Sequence, residues 1–347
     1  DDDPKLKAMR RKLQNCDPNG IGDDGLTALG SACRRGNELE VRVHLENLAK
    51  AGKAAAAAKS GGVTALMIAA EHGHDACVRA LLKSKAPVGC PFDATQDVTG
   101  WTALMYAAHS GSEASVEALL EAAAKQAADG TDDDHAPPHV DAKQAQQATA
   151  LMFAAKAGHE ACVRALLAGG AVVDVTQETG ATALLFAAKF GHTECATALL
   201  EAKANINHQS KRGETALALT SEQGHEPCAR ALIAARANLE LQNVDQCTAL
   251  QLAVESDQRG CLQVLIDANA DIERQGSSRT PPLIQAAELE HDECAWALIE
   301  AGARIDAADP RLKRLFAPET KPGAKPKKEK PPPRPPSPPP PPPVPRP

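Results

Sequence analysis

The chain has 347 residues, 43% of them apolar, and a formal net charge of −7 at pH 7. It contains no run of 18 apolar residues and no basic, apolar leader at its start, so we expect neither a membrane span nor a signal peptide. Only five Phe, one Tyr and two Trp are present, which predicts a core of small residues and argues against recognition of nucleic acid by stacked aromatic rings.

The first 16 residues predict one amphipathic helix. Leu6, Met9 and Leu13 recur at spacings of three and four amid five Lys and Arg. Such a helix has a single apolar side, which needs a neighbour to cover it.

A repeated unit follows and extends over most of the chain. The Thr of a T-A-L motif recurs seven times, and an eighth copy has Pro281 in its place. These anchor positions are Thr27, Thr64, Thr102, Thr149, Thr182, Thr215, Thr248 and Pro281. The last four intervals are all 33 residues and the earlier ones are longer, so 33 is the period and the early joints carry insertions. A fixed period of this size predicts a solenoid.

Each unit predicts two short helices. After Thr149, the small and apolar residues Leu151, Ala154 and Ala155 fall on one face at helical spacing, and Gly158 ends that helix as a C-cap would. A second apolar stripe follows from residue 162 to residue 167 with a period near 3.6, and a polar loop leads to the next anchor. A pair of helices this short cannot bury its apolar faces alone, so neighbouring units must cover one another.

The longest joint, residues 125–146, is an acidic insertion. It contains three consecutive carboxylates, Asp132 to Asp134, together with His135 and His139, which suggests a metal site as one interpretation. Adjacent carboxylates without the spaced pattern of a calcium loop favour the other interpretation, a solvated projecting loop. We therefore predict no metal site and no cofactor.

The repeat fades after Asp306. Residues 307–317 predict a short helix that begins at Asp309-Pro310 and carries Leu312, Leu315 and Phe316. We expect it to cover the open end of the stack near Trp296, and the competing interpretation makes Trp296 a partner-binding residue on an uncapped convex face.

The last 30 residues, 318–347, form a basic, Pro-rich tail with a net charge of +5, for which we expect disorder or a polyproline helix. Within it, Lys330, Pro333 and Pro336 have the basic-x-x-P-x-x-P spacing accepted by polyproline-reading domains, and Arg334 lies inside the motif. The tail is thus either a ligand for an SH3-type or profilin-like domain or a linker.

The repeat resembles the ankyrin family. G-V-T-A-L-M-I-A-A-E-H-G-H-D-A-C-V-R-A-L-L at the unit of Thr64 is similar to the family pattern of G-x-T-P-L-H-x-A-A-x-x-G-H followed by an apolar pair and L-L, and the likeness covers residues 17–306. It implies an all-α solenoid of stacked helix-turn-helix units with hairpin loops. The resemblance also implies a degenerate capping unit at residues 1–24 and a repeat domain of about eight units at residues 25–306.

The chain departs from the family pattern at three places. The Pro of T-P-L is Ala in seven units, and the following His is Met67, Met105, Met152, Leu185 or another residue, so the family's Thr-to-His hydrogen bond is absent. Cys replaces the usual Val at the start of the second helix in six units.

Those six cysteines predict a reduced chain without catalytic thiols. They are Cys77, Cys162, Cys195, Cys228, Cys261 and Cys294. Stacked helices lie about 8–10 Å apart, whereas a disulfide needs Cα atoms within about 7 Å, so we expect free, buried thiols and a cytoplasmic or nuclear location. In five units a His lies three residues before the repeated Cys. Such an H-x-x-C pair supplies only two metal ligands per unit, and zinc needs four. No catalytic motif is present, so we predict that the chain is not an enzyme.

Function then depends on binding. In the ankyrin family partners usually lie on the concave face, and the positions here that match this face include Trp101, His109, Lys156, Lys189, Phe190, Arg212 and Leu289. Trp101 and Phe190 are the two aromatic residues among them, and aromatic residues are enriched at binding hot spots. The other interpretation of Trp101 is a ring that lies flat on its neighbouring hairpin.

The resulting hypothesis is a non-catalytic, monomeric scaffold that binds a protein on its concave face and recruits another through its tail. The alternative is a regulatory or substrate-docking part of a larger enzyme or ubiquitin-ligase-type complex. The acidic body argues against nucleic acid, and no membrane association is predicted.

Overall fold

A computed structural model describes residues 3–14, 16–22, 25–51, 63–84, 99–128, 140–276, 280–306 and 309–316. The carboxylates and histidines of the acidic insertion and the tail motif of Lys330, Pro333, Arg334 and Pro336 lie outside these ranges. None of the helices in the described part of the chain combines the length and the apolarity that crossing a membrane requires.

The described residues form an all-α solenoid. Its helices are α1 (Pro4–Lys12), α2 (Ala28–Arg34), α3 (Glu38–Ala51), α4 (Ala65–Glu71), α5 (Asp75–Lys83), α6 (Ala103–Ser110), α7 (Glu113–Ala128), α8 (Ala150–Ala157), α9 (Glu160–Ala168), α10 (Ala183–Lys189), α11 (Thr193–Glu201), α12 (Ala216–Gln223), α13 (Glu226–Ala234), α14 (Ala249–Glu255), α15 (Arg259–Asp267), α16 (Pro282–Glu288) and α17 (Asp292–Glu300), and a 3-10 helix follows at Pro310–Leu312. Units 1 to 8 are numbered from the anchors Thr27 to Pro281. We call α2 and the even-numbered helices that follow it the inner helices, and α3 and the odd-numbered helices that follow it the outer helices.

Two layers of helices run the length of the stack. Each inner helix packs against the inner helices of the units before and after it, and the outer helices do the same in their own layer. This arrangement confirms the solenoid that the 33-residue period predicts. One continuous core joins the layers, and it is built largely from Ala, Leu and Cys.

The anchor threonines begin the inner helices. Thr102 is extended, and its hydroxyl accepts a hydrogen bond from the amide of Met105 at 3.2 Å. Thr27, Thr64, Thr182, Thr215 and Thr248 make the same contact with the third residue that follows each of them. Such an N-cap stabilises a helix by about 1 kcal/mol. Capping therefore explains six of the seven Thr anchors without the family's His, whereas Thr149 makes no such bond in the described part of the chain.

The glycine that ends several inner helices is required by the next unit. Gly158 has φ +81, and a Cβ placed on it would lie 2.5 Å from Nδ1 of His192. His192 Nε2 donates to the Lys156 carbonyl at 3.1 Å, which links unit 5 to unit 4. His74, His159 and His225 make equivalent bonds to the unit before them. The G-H motif is thus an inter-unit joint.

Unit 8 shows what happens without that glycine. Asp257 occupies the glycine position of unit 7 and has φ +53. His291 of unit 8 then bonds through Nδ1 to the Val254 carbonyl at 2.7 Å instead of using Nε2. The Cβ of Asp257 occupies space that the ring fills elsewhere, so the ring shifts by one carbonyl along the helix.

The repeated cysteines lie in the core, as the sequence predicts. All six are buried and are free thiols. Burial raises the pKa of Cys162 to about 11 and that of Cys228 to about 12. Thiols that are both buried and protonated are poor nucleophiles, so these residues act as small apolar side chains.

One core position differs in unit 1. His44 lies where the other seven outer helices have Leu, and it is fully buried. Neither ring nitrogen has a hydrogen-bond partner among the described residues, and the closest carboxylate oxygen, of Glu40, is 3.9 Å from Nε2. Burial lowers the pKa of His44, against the opposing effect of Glu40.

The loops between units end in tight hairpin tips that bond to one another. Within the tip of unit 6, the Ser210 amide donates to the Glu214 carbonyl at 3.0 Å. Between the tips of units 6 and 5, the Lys211 amide donates to the Thr179 carbonyl at 2.9 Å. Between the tips of units 7 and 6, the Val244 amide donates to the Arg212 carbonyl at 3.0 Å. The tips of units 5, 6 and 7 therefore form a continuous ribbon beside the inner helices, which fixes the spacing of side chains on that side of these units.

Additional segments pack on both ends of the stack. At the start, Leu6 and Leu13 on and just after α1 pack with Val43 of α3, and Arg10 binds Glu46 at 2.7 Å. At the other end, the expected helix is only a single 3-10 turn followed by further turns. With about three residues per turn, Leu312 and Leu315 point to the same side.

Burial separates the three apolar residues of this C-terminal segment. Leu312 and Leu315 are buried against the last unit, whereas Phe316 remains 45% exposed. The Phe316 ring meets Trp296 edge-on at 6.2 Å between centroids. Phe316 therefore contacts Trp296 while much of its ring stays open to solvent.

Candidate protein-binding face

Four side chains of each unit line the side of the stack that carries the inner helices and hairpin tips. They lie one residue before the anchor and four, seven and eight residues after it, and together we call them the inner face. In unit 3 these positions include Trp101, Tyr106 and His109. The position seven residues after the anchor is Arg34, Glu71, His109, Lys156, Lys189, Glu222, Glu255 and Glu288 in units 1 to 8.

Aromatic rings cluster on the inner face of units 3 and 4. The Trp101 ring lies 4.2 Å from Phe153, 4.9 Å from Tyr106 and 5.7 Å from His109, centroid to centroid. His109 also meets Phe153 edge-on at 6.2 Å. Trp101 is partly buried, and its ring contacts these neighbours. The ring is therefore held rigidly between two inner helices, with part of its surface open.

The cluster continues into unit 5 as a basic and aromatic surface. Phe190 is 43% exposed, and Lys156 Nζ lies 5.9 Å from its ring centroid in a cation–π contact. Lys156 and Lys189 are exposed, and neither forms an ion pair with any residue in the described part of the chain. We call Trp101, Tyr106, His109, Phe153, Lys156, Lys189 and Phe190 the aromatic–basic patch.

The inner face of units 6 to 8 is acidic. Glu255 accepts a hydrogen bond from Gln285 Nε2 at 2.6 Å, and the Cys247 thiol lies 3.7 Å from the same oxygen. Burial and the Glu255 carboxylate raise the pKa of Cys247 to about 11. Glu288 binds Arg311 of the C-terminal segment at 2.8 Å, and Glu214 is 3.8 Å from Arg212. We call Glu214, Glu222, Glu255 and Glu288 the acidic half.

The structure brings together five of the seven residues that the sequence predicts for this face. Trp101, His109, Lys156, Lys189 and Phe190 belong to one patch. The other two lie in units 6 to 8, near the acidic half: Arg212 is in the tip of unit 6 with its side chain 73% exposed, and Leu289 of unit 8 is 45% exposed.

Sequence reasoning missed Tyr106 and Phe153 because each looks like an ordinary core residue of an inner helix. Both lie four residues after an anchor, and Ile68, Phe186, Leu219 and Leu252 hold the same position in other units. The signal in the sequence is that an apolar residue recurs at this position in most units. Its exposure depends on how far apart the hairpin tips and inner helices are held.

The described residues present two kinds of chemically reactive group, possible metal ligands and thiols. No group of three or more His, Cys, Asp or Glu side chains in the described ranges has the arrangement of a metal site. The thiols nearest to the G-H turns are buried, and their pKa values are raised to about 11 or 12. Rigid rings beside exposed lysines form a surface suited to another macromolecule.

Comparison with known proteins identifies the repeat. The family model for ankyrin repeats matches residues 4–91, 48–129, 133–210 and 197–276, which together exceed half of the chain. The crystal structure of the human ASB11 ankyrin repeat domain superimposes with a TM-score of 0.58 at 25% identity, covering 70% of this chain and 99% of that one. No curated protein sequence matches. Since 511 solved chains match, the likeness is too general to name a partner.

Proposed function

Because the chain belongs to the ankyrin-repeat family, whose repeats generally mediate protein–protein interaction and are typically not catalytic, we propose that it is a monomeric interaction scaffold. Its inner face binds a protein partner through the aromatic–basic patch. The single observation that supports this most strongly is the cluster of Trp101, Tyr106, His109 and Phe153 on an open face of the stack.

Aromatic rings in a fixed arrangement bind well because little conformational entropy is lost when they are covered. Trp101 has ring neighbours on two inner helices, so it meets a partner already ordered. Lys156 and Lys189 lie beside the rings and lack ion-pair partners among the described residues, so acidic groups on the partner can approach them. The patch therefore fits a partner surface that combines apolar and acidic side chains.

The Pro-rich tail is the second binding element of the proposal. Lys330, Pro333, Arg334 and Pro336 provide the spacing that SH3-type or profilin-like domains accept. If the tail and the inner face bind different proteins, the chain holds two partners at once. The nine free cysteines of the described residues support a reducing compartment, cytoplasm or nucleus, for this activity.

Affinity capture with matched charge variants tests the proposal. K156E/K189E reverses two charges on the patch, and K83E/K125E reverses two exposed lysines on outer helices as a control. We expect proteins captured by the natural chain and by the control to be lost from K156E/K189E. Equal capture by all three chains would contradict the proposal, provided that circular dichroism shows the same helix content in each.

The tail is tested separately. Replacing Pro333, Arg334 and Pro336 should leave capture by the inner face unchanged and remove any SH3-type or profilin-like protein from the captured set. If purified domains of both kinds bind the natural and the altered tail equally, this part of the proposal fails and the patch is unaffected.

A further inference from the structure

The two parts of the inner face carry opposite charge at equivalent positions. Seven residues after the anchor, units 4 and 5 have Lys156 and Lys189, whereas units 6, 7 and 8 have Glu222, Glu255 and Glu288. Building on the proposed function, we infer that the partner is one continuous protein segment with acidic residues at one end and basic residues at the other. Its acidic, apolar end lies on the aromatic–basic patch and its basic end lies on the acidic half, so it binds in one direction only.

Equivalent contacts show that both halves belong to one surface. In unit 3, Trp101 and His109 meet each other and Phe153 of the next unit. In unit 7 the same three positions are Cys247, Glu255 and Gln285, and Glu255 contacts both of the others. The backbone geometry repeats while the chemistry changes from aromatic and basic to polar and acidic. A ligand that follows the groove therefore meets both kinds of surface.

The charges in the middle of the groove are available to a ligand. Glu222 and Glu255 have no cation within ion-pair distance among the described residues, as is also true of Lys156 and Lys189. Glu288 and Glu214 are already engaged by arginines. Two lysines without an ion-pair partner in the described ranges are thus followed along the stack by two carboxylates that also lack one.

This order of charges decides which occupants fit. A uniformly acidic ligand, including a nucleic acid, is repelled by Glu222 and Glu255, and a uniformly basic ligand is repelled by Lys156 and Lys189. Stacked helices lie about 8–10 Å apart, so Lys156 and Glu255 are separated by roughly 25–30 Å. An extended segment of about eight to ten residues spans that distance. A protein segment with Asp or Glu beside an apolar side chain and Lys or Arg some eight residues away satisfies both halves.

Synthetic peptides test the inference on the full chain. Both peptides are about ten residues long, so that they span the two halves. The first has three Glu and a Leu in one half and three Lys in the other, and the second has the same composition with the charges alternating. Fluorescence anisotropy of labelled peptides at 50 mM salt measures the Kd of each. We expect the polarised peptide to bind about tenfold more tightly than the alternating one. Each exposed ion pair contributes only about 0–1 kcal/mol, so a few additional pairs together give about the 1.4 kcal/mol that corresponds to a tenfold change in Kd. Equal affinities would overturn the inference.

Charge variants locate the two ends. E222K/E255K should reduce affinity for the polarised peptide about tenfold, whereas E117K/E121K on the outer helix α7 should leave it unchanged. A photo-crosslinker on the acidic end of the peptide should label units 4 and 5 in the natural chain and units 6 and 7 in the chain that carries both K156E/K189E and E222K/E255K. Crosslinks spread evenly over both halves would contradict a fixed direction.

Other outcomes separate this inference from the proposed function. If K156E/K189E abolishes binding while E222K/E255K has no effect, the patch binds partners but the polarity is wrong. If neither variant alters binding of either peptide, both ideas fail. If the polarised peptide binds only after residues 318–347 are removed, the basic tail occupies the acidic half, which overturns the inference in favour of an intramolecular ligand.

Discussion

Replacing Gly158 by Ala tests the joint between two units. Gly158 has φ +81, a left-handed conformation that costs a residue with a side chain about 1–2 kcal/mol. The added Cβ would lie 2.5 Å from His192 Nδ1, so the ring must move and its bond to the Lys156 carbonyl is lost. A lost hydrogen bond adds about 1 kcal/mol, which gives a total of roughly 2–3 kcal/mol.

Gly170 is the matched control. It has φ +89, and a Cβ on it would meet nothing within 4 Å, so Gly170→Ala carries only the conformational cost. Urea unfolding of both variants, and of each glycine change combined with His192→Ala, forms a double-mutant cycle. We expect Gly158→Ala to cost about 1 kcal/mol more than Gly170→Ala, and the excess to vanish without the His192 ring. Equal costs for the two variants in the presence of His192 would refute the reasoning.

Three further predictions follow from buried groups. Replacing His44 by Leu should raise the free energy of unfolding, and by more at pH 5.5 than at pH 8. Burial lowers the pKa of His44 in the folded chain, so the unfolded chain binds more protons at low pH. The stability of the natural chain therefore falls as the pH drops below about 6.5, and the Leu variant lacks this loss. Urea unfolding at both pH values checks this, and an equal gain would contradict it. A bulky thiol reagent at pH 8 should label Cys162 and Cys228 only after denaturation, because burial raises their pKa values to about 11 and 12; rapid labelling of the folded chain would contradict their burial. Ending the chain at Ala308 uncovers the surface under Leu312 and Leu315, and it should lower Tm by about 5 °C or more and shift Trp fluorescence to the red. Ending the chain at Pro318 should do neither. An unchanged Tm in the shorter chain would exclude a stabilising cap.

The fold could be predicted from the sequence because the same physical requirement recurs in every unit. A cap at Thr102 or Thr215, a left-handed turn at Gly158 and an apolar stripe around Cys162 each repeat with a fixed register. The helices and turns predicted for one unit therefore hold for the others. The units are expected to stack because each one alone leaves apolar area uncovered.

The patch could be predicted only in part, because it depends on distances between units. The register places His109 and Lys156 on the inner face, but the 4.2 Å contact between Trp101 and Phe153 crosses from one unit to the next. The joint between those units is also the longest in the chain, so the period alone did not fix how they meet.

The end segment shows a similar limit. The spacing of Leu312 and Leu315 fits an α-helix or a 3-10 turn, and packing against the last unit selects the 3-10 turn. His44 differs from the Leu of the other seven units, but its sequence position does not show that both ring nitrogens lack hydrogen-bond partners among the described residues, because this depends on how the core packs.

The two tryptophans provide the most direct measurement of where a partner binds. Trp101 lies on the inner face, and Trp296 lies on the outer helix α17 against Phe316. Hydroxyl-radical footprinting of the chain with and without its captured partner compares oxidation of the two rings. We predict that the partner protects Trp101 and Phe190 while oxidation of Trp296 is unchanged. Protection of Trp296 with no change at Trp101 would contradict binding through the aromatic–basic patch.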